Sequence, residues 1–165
     1  IRDLRMSRGL GDVYKRQDYK ILRCLKDNAR LTASAISEEI NLSVSAVIER
    51  IRKMESSGVI KGYTIEVDQK KLGNEMVAIM EVRLKHPKYY DEFAQLIQTN
   101  DSIVACFYMT GDFDFILKIV TDSAAGLDEV YRFVKGYEGV SATETHFVLK
   151  TLKDEVSVIP EVKEK

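Results

Sequence analysis

The 165-residue sequence predicts an α+β chain of two unlike halves: a three-helix helix-turn-helix unit, then a linker strand, then a C-terminal ferredoxin-like βαββαβ domain. Three observations carry that expectation. Apolar residues recur at three- and four-residue spacing from Ile21 to Met54; they alternate from Tyr63 onward; and Gly and Pro divide the later chain into strands and helices. Composition is that of a soluble protein, 45% hydrophobic and 31% charged. The longest apolar runs, residues 76–80 and 115–120, fall far short of the roughly 20 residues a membrane span needs, so the chain is expected to be cytoplasmic with no membrane partner.

The opening IRDLRMSRGLGDVYKRQ has no period and is read as a non-native or disordered tail. Residues 18–27 place Ile21, Leu22 and Leu25 inward on a first helix. Thr32 can cap a second helix through its side-chain oxygen, and Ala33, Ile36 and Ile40 share one face of it. Asn41 can supply the left-handed stop that Gly more often provides. After Leu42, Ser43 can cap a third helix whose inward stripe is Val44, Val47, Ile48, Ile51 and Met54. Ser45, Ala46, Glu49, Arg50, Arg52 and Lys53 are left around its outer side.

Residues 59–67 alternate after Gly62, with Tyr63, Ile65 and Val67 on one side, and read as a strand; the polar run DQKKLGN that follows is a connection. Residues 76–85 alternate as a strand that His86 and Pro87 end, because Pro cannot donate to a ladder. Phe93, Leu96 and Ile97 fall at helical spacing within residues 89–99. Residues 102–109 and 113–120 read as strands about a turn at Gly111 and Asp112. Asp122 and Ser123 can cap a helix that buries Leu127, Val130, Tyr131 and Val134, and residues 140–152 form the last strand. Two helices cover one side of such a sheet, and a second subunit is the economical cover for the other.

Cys24 and Cys106 lie in different halves and are expected to be small buried hydrophobes. His86 and His146 have no second His or Cys at ligand spacing, so neither a metal nor a cofactor is expected. No nucleophile–base pair, phosphate loop or paired acids stand out, and the chain is expected not to be an enzyme, with no catalytic residues.

Net charge is -1, but it is divided. Residues 1–73 hold 15 Lys and Arg against 10 Asp and Glu, and residues 74–165 hold 10 against 16. A phosphate-facing first half and a second half with another ligand fit that asymmetry, although residues 18–73 alone keep only 10 against 8. Helix geometry carries more weight. A capped third helix with small residues at its start can approach base edges; Arg can grip guanine in a bidentate contact and Lys can hold phosphate. The DNA-facing candidates are Thr32, Ser43, Ser45, Ala46, Glu49, Arg50, Arg52 and Lys53, with Arg50 the first choice for a base.

Asp18 ahead of Ile21 and Leu22, Asn28-Ala29-Arg30, Leu42-Ser43 and Gly58-Val59-Ile60-Lys61-Gly62-Tyr63 together resemble the DNA-binding half of the Lrp/AsnC, or feast/famine, transcriptional regulators. Ser37, Asn41 and Val44 depart from the family's usual Ala, Gly and Pro. Thr110-Gly111-Asp112-Phe113-Asp114 resembles the family's ligand-sensing RAM module, so the likeness spans nearly everything from Asp18 to Lys153. The resemblance implies a sequence-specific regulator that binds double-stranded, roughly palindromic DNA as a homodimer assembling to a tetramer or octamer. It also implies an amino-acid effector bound between RAM domains, at Thr110, Gly111, Asp112 and Asp114 with Ser141, Thr143 and Thr145. The expected bounds are 1–17 for the tail, 18–60 for the DNA-binding domain, 61–74 for the linker strand and hinge, 75–153 for the RAM domain and 154–165 for a charged C-terminal tail. Two other readings share these features: an enzyme like the sirohaem decarboxylases, which also resemble this family, and a weakly specific architectural DNA-binding protein.

Overall fold

In the computed structural model, which describes residues 16–161, the chain divides into two compact units. One carries the chain through Glu66 and takes back the closing segment from Asp154; the other is Val67–Lys153. The reading of residues 1–15 as a non-native tail falls outside the described residues, while Arg16 and Gln17 already belong to the first helix.

The first unit holds α1 (Arg16–Asp27), α2 (Ala33–Ile40) and α3 (Val44–Ser56). Ile21, Cys24, Ile36, Ile40, Val47 and Met54 form its buried core, with Leu22, Leu25 and Ile51 packed partly against it. Two residues assigned to the inward stripe of α3 lie elsewhere: Val44 is 41% exposed and Ile48 37%. At 100° per residue they fall on a shoulder of α3, turned away from the line through Val47 and Met54 that faces the other two helices. The closing segment lies along α1, where Arg23 donates to the Pro160 carbonyl at 2.9 Å and Lys26 pairs with Glu155 at 2.7 Å.

The linker strand expected at residues 59–67 does not form in the single chain. Tyr63, Ile65 and Val67 alternate as the sequence suggests but are 52%, 80% and 39% exposed. A strand needs a neighbour for its N–H and C=O groups, and alternation without one leaves an extended coil. The polar connection closes instead into a single 3-10 turn, Lys70–Leu72.

The second unit is a four-stranded antiparallel sheet of β1 (Met76–Leu84), β2 (Ile103–Tyr108), β3 (Phe115–Thr121) and β4 (Val140–Phe147), in the order β2-β3-β1-β4. Helices α4 (Tyr90–Leu96) and α5 (Ala124–Lys135) cover one face, which completes the βαββαβ order. The core lies between sheet and helices, around Met80, Val82, Phe93, Phe115, Leu117, Ile119, Val130 and Val134. Alternation places Ala78, Met80 and Val82 of β1 opposite Ile119, Leu117 and Phe115 of β3 on that face. Ser123 caps α5 by accepting from the Gly126 N–H. Tyr131, expected to be buried on that helix, is 37% exposed, since Leu127, Val130 and Val134 already fill the inward stripe. The last strand ends at Phe147, short of residue 152, and Leu149 and Leu152 are left exposed. Cys24 is buried; Cys106 is not, because β2 is an edge strand.

Candidate nucleic-acid interface and effector cleft

Local signals build the helix-turn-helix. Thr32 Oγ1 accepts from the Ala35 N–H and Ser43 Oγ from the Ala46 N–H, each at 3.2 Å, so both satisfy otherwise orphaned donors at a helix start. Asn41, at φ 56° and ψ 52°, is the one non-glycine residue with positive φ among the described residues. Its N–H and that of Leu42 both donate to the Ser37 carbonyl, which turns the chain sharply into α3.

On α3 the sequence candidates separate into two groups. Ser45, Glu49, Arg52 and Lys53 are exposed, Ala46 is half-buried, and the capping residues Thr32 and Ser43 are exposed at the helix starts. Arg50 has a different position. Its Nη1 donates to Asp18 Oδ1 at 2.8 Å, with only 26% of the Arg50 side chain and 10% of the Asp18 side chain exposed. This bond ties α3 to α1 from within the unit. Wheel position accounts for it: Arg50 falls one turn from Val47 and Met54, so its aliphatic stem lies at the core margin. Tyr63 donates to Glu55 at 2.9 Å, and burial first, then that bond, raises its phenol above the usual value.

Of the seven effector candidates, Asp114 lines a cleft in the sheet unit, while the others lie on the β2–β3 turn and along β4. Gly111, at φ 129°, makes the turn that its lack of a Cβ permits. Asp114 is held by the sheet: its N–H donates to the Val82 carbonyl and its Oδ2 accepts from the Leu84 N–H at 2.7 Å. Arg83 donates to the Asp112 carbonyl and stacks over Phe113, and Ser141 donates to the Arg83 carbonyl at 3.0 Å. Thr110 and Asp112 are exposed. Thr143 and Thr145, in register with Val82 and Met80, face the helix-covered side, where their hydroxyls are buried without a hydrogen-bond partner.

Asp114 lines that cleft, of about 390 Å³, with Leu84, Lys85, His86, Pro87, Tyr90, Asp91 and Tyr108. Tyr90 meets Tyr108 edge-on at 4.9 Å and stacks on Phe115 at 5.5 Å, giving the cleft an aromatic wall between two carboxylates and an ammonium. Of the lining residues the sequence points only to Asp114, because the others come from the end of β1, the start of α4 and the end of β2, which lie far apart in the chain. A second cleft, about 450 Å³ and more polar, lies at the start of α5 beside Asn100, Ser102 and Glu129.

His146 gains neighbours that spacing along the chain did not show. Its Nε2 lies 3.6 Å from Glu81 and 3.5 Å from Glu144, because β4 pairs with β1 and sets Glu144 directly opposite Glu81. Among the described residues this is the one trio of potential metal-ligating side chains that converges, and it stands on the sheet face away from the helices.

The chain matches the winged helix-turn-helix DNA-binding family over residues 15–61 and the Lrp/AsnC ligand binding domain over residues 77–158. It is 36% identical to the HTH-type transcriptional regulator LrpC of Bacillus subtilis (strain 168), over 82% of this chain and 91% of that protein. The chain belongs to the Lrp/AsnC family. Regulatory protein AsnC of Haemophilus influenzae (strain ATCC 51907 / DSM 11121 / KW20 / Rd) is 30% identical to this Lrp/AsnC chain, over 78% of it and 86% of the relative. Solved structures agree: E. coli AsnC matches with a TM-score of 0.82 at 25% identity, covering 89% of this chain and 99% of that one. A Neisseria meningitidis transcriptional regulator in complex with L-Met matches with a TM-score of 0.83 at 26% identity, covering 88% and 96%. The Lrp/AsnC fold therefore extends through both units, and no helix among the described residues is long and apolar enough to cross a membrane.

Proposed function

We propose that this Lrp/AsnC regulator binds specific DNA through the outer face of α3 and that an amino acid or similar small molecule in the Tyr90–Tyr108 cleft modulates that binding. The observation that carries the reading is the division of α3. Arg50 is spent on Asp18 inside the unit, while Ser45, Glu49, Arg52 and Lys53 face outward from a capped helix with small residues at its start. Arg52 suits a base edge or phosphate, Lys53 a phosphate, and Glu49 a cytosine amino group. A two-fold dimer sets two such helices about 34–36 Å apart, which calls for a roughly palindromic site. The exposed Tyr63, Ile65 and Val67 are the edge a second copy would pair with, and further assembly to tetramers or octamers follows the family.

The cleft has the chemistry an amino acid needs. Asp91 and Asp114 attract an α-ammonium, Lys85 an α-carboxylate, and Tyr90 and Tyr108 pack a side chain. The L-Met complex of the Neisseria relative supports this ligand class. The test is fluorescence anisotropy on a duplex from the protein's own upstream region and on a scrambled one, at two salt concentrations, with each of the common amino acids. The reading expects preference for the cognate duplex by about 10³-fold or more, steep salt dependence, and a shift in affinity with at least one amino acid that Tyr108→Ala removes. Equal binding to both duplexes would indicate an architectural role, and a shift that survives Tyr108→Ala would place the effector elsewhere.

A further inference from the structure

Val44 and Ile48 are out of place for a helix that only has to fold. They stand four residues apart on one shoulder of α3, 41% and 37% exposed, beside the outward line of Ser45 and Arg52. Burial would stabilise both, yet the core of the unit is complete without them. Their surroundings identify what covers them. The shoulder is continuous with the cationic outer face of α3 and begins at the capped end that approaches base edges. Four helical residues rise about 6 Å, close to the roughly 7 Å of two base steps. The apolar group presented in the major groove is the C5 methyl of thymine, which A·T pairs carry and G·C pairs lack.

We infer that Val44 and Ile48 read thymine methyls, two base steps apart in each half-site, while Ser45 and Arg52 make the polar contacts beside them. This deepens the DNA-binding reading and rests on it. Its consequence is that part of the sequence preference comes from methyl burial and not from hydrogen bonds. The preferred half-site then carries thymines facing the start of α3. Removing a single methyl from the DNA should weaken binding while leaving every base pair intact.

The test uses the full chain to enrich duplexes from a random pool, then remakes the best duplex with each thymine in turn replaced by deoxyuridine, which lacks only the methyl. Wild-type protein is expected to lose about fourfold in affinity for one critical methyl, and about fifteenfold when the symmetry-related pair is removed. Ile48→Ala should lose sensitivity at one position and Val44→Ala at its neighbour two steps away, each remaining folded at the assay temperature because most of the unit's core is untouched. Specific binding that ignores uracil at every position would overturn this inference and leave the DNA reading standing. So would uracil sensitivity unchanged in both variants. Failure to enrich any duplex would overturn both.

Discussion

Six buried side chains form the core of the helical unit and twelve that of the sheet unit, among the described residues, and different signals place them. In the helical unit each turn is set by residues within a few positions: Thr32 and Ser43 cap, and Asn41 stops α2 with its backbone in the left-handed region. In the sheet unit the important neighbours are set by register, so that Glu81 meets Glu144 and Asp114 locks onto Val82 and Leu84 across the sheet. A unit held by local signals and a small core should be the less stable one, and it carries the surface that meets DNA.

The largest expected effects test that ranking. Phe93→Ala removes a fully buried ring that packs on Phe115 and Tyr137 and should cost about 3–5 kcal/mol, collapsing the sheet unit. Ile36→Ala should cost about 2–5 kcal/mol, a larger share of what holds the helical unit. Its melt, followed by far-UV circular dichroism, should show an early transition while the aromatic near-UV band stays native. One coincident transition would mean that the two units unfold together. Next in size, Asn41→Ala places a Cβ-bearing side chain without local hydrogen bonding at φ 56° and should cost about 1–2 kcal/mol, while Asn41→Gly stays within a few tenths, as denaturant midpoints would report.

The smallest effect is a pH dependence in the sheet unit. Tyr137 donates to Glu92 at 2.7 Å, and burial, followed by that bond and the nearby carboxylates, pushes its phenol up to about 12. A folded-state value above the unfolded one of about 10 means that the stabilisation is complete below pH 10 and is lost as pH rises toward 12. Tyr137→Phe should flatten the fall in stability across that window. An identical slope in both proteins would remove Tyr137 from the account.

The same contrast explains what the sequence made legible. All three helices of the first unit and their two caps could be read, because caps and periodicity are written in adjacent residues. Arg50 could not be placed: the period puts it near the edge of the outer face, and only packing against α1 reveals Asp18 as its partner. Val44 and Ile48 read as core for the same reason, since apolar spacing does not say how wide a stripe the neighbouring helices cover. In the second unit the element order was legible from alternation and from Gly and Pro. The cleft was not, because Lys85, Tyr90, Tyr108 and Asp114 meet only once the strands are in register. The linker alternates like a strand but lacks a ladder partner within one chain.

The division of α3 into an inner arginine that holds the unit and an outer arginine that meets DNA is the claim most open to direct test. Arg52→Ala and the double variant Asp18→Asn/Arg50→Gln would be titrated against one selected duplex, with melting temperatures recorded in parallel. Arg52→Ala should lose about tenfold or more in affinity with an unchanged melting temperature. The double variant, which removes both charges together and so leaves neither one buried and unpaired, should bind within about threefold of wild type. The reverse, with full binding by Arg52→Ala and loss of sequence preference in a folded double variant, would make Arg50 the base-reading residue and contradict the account.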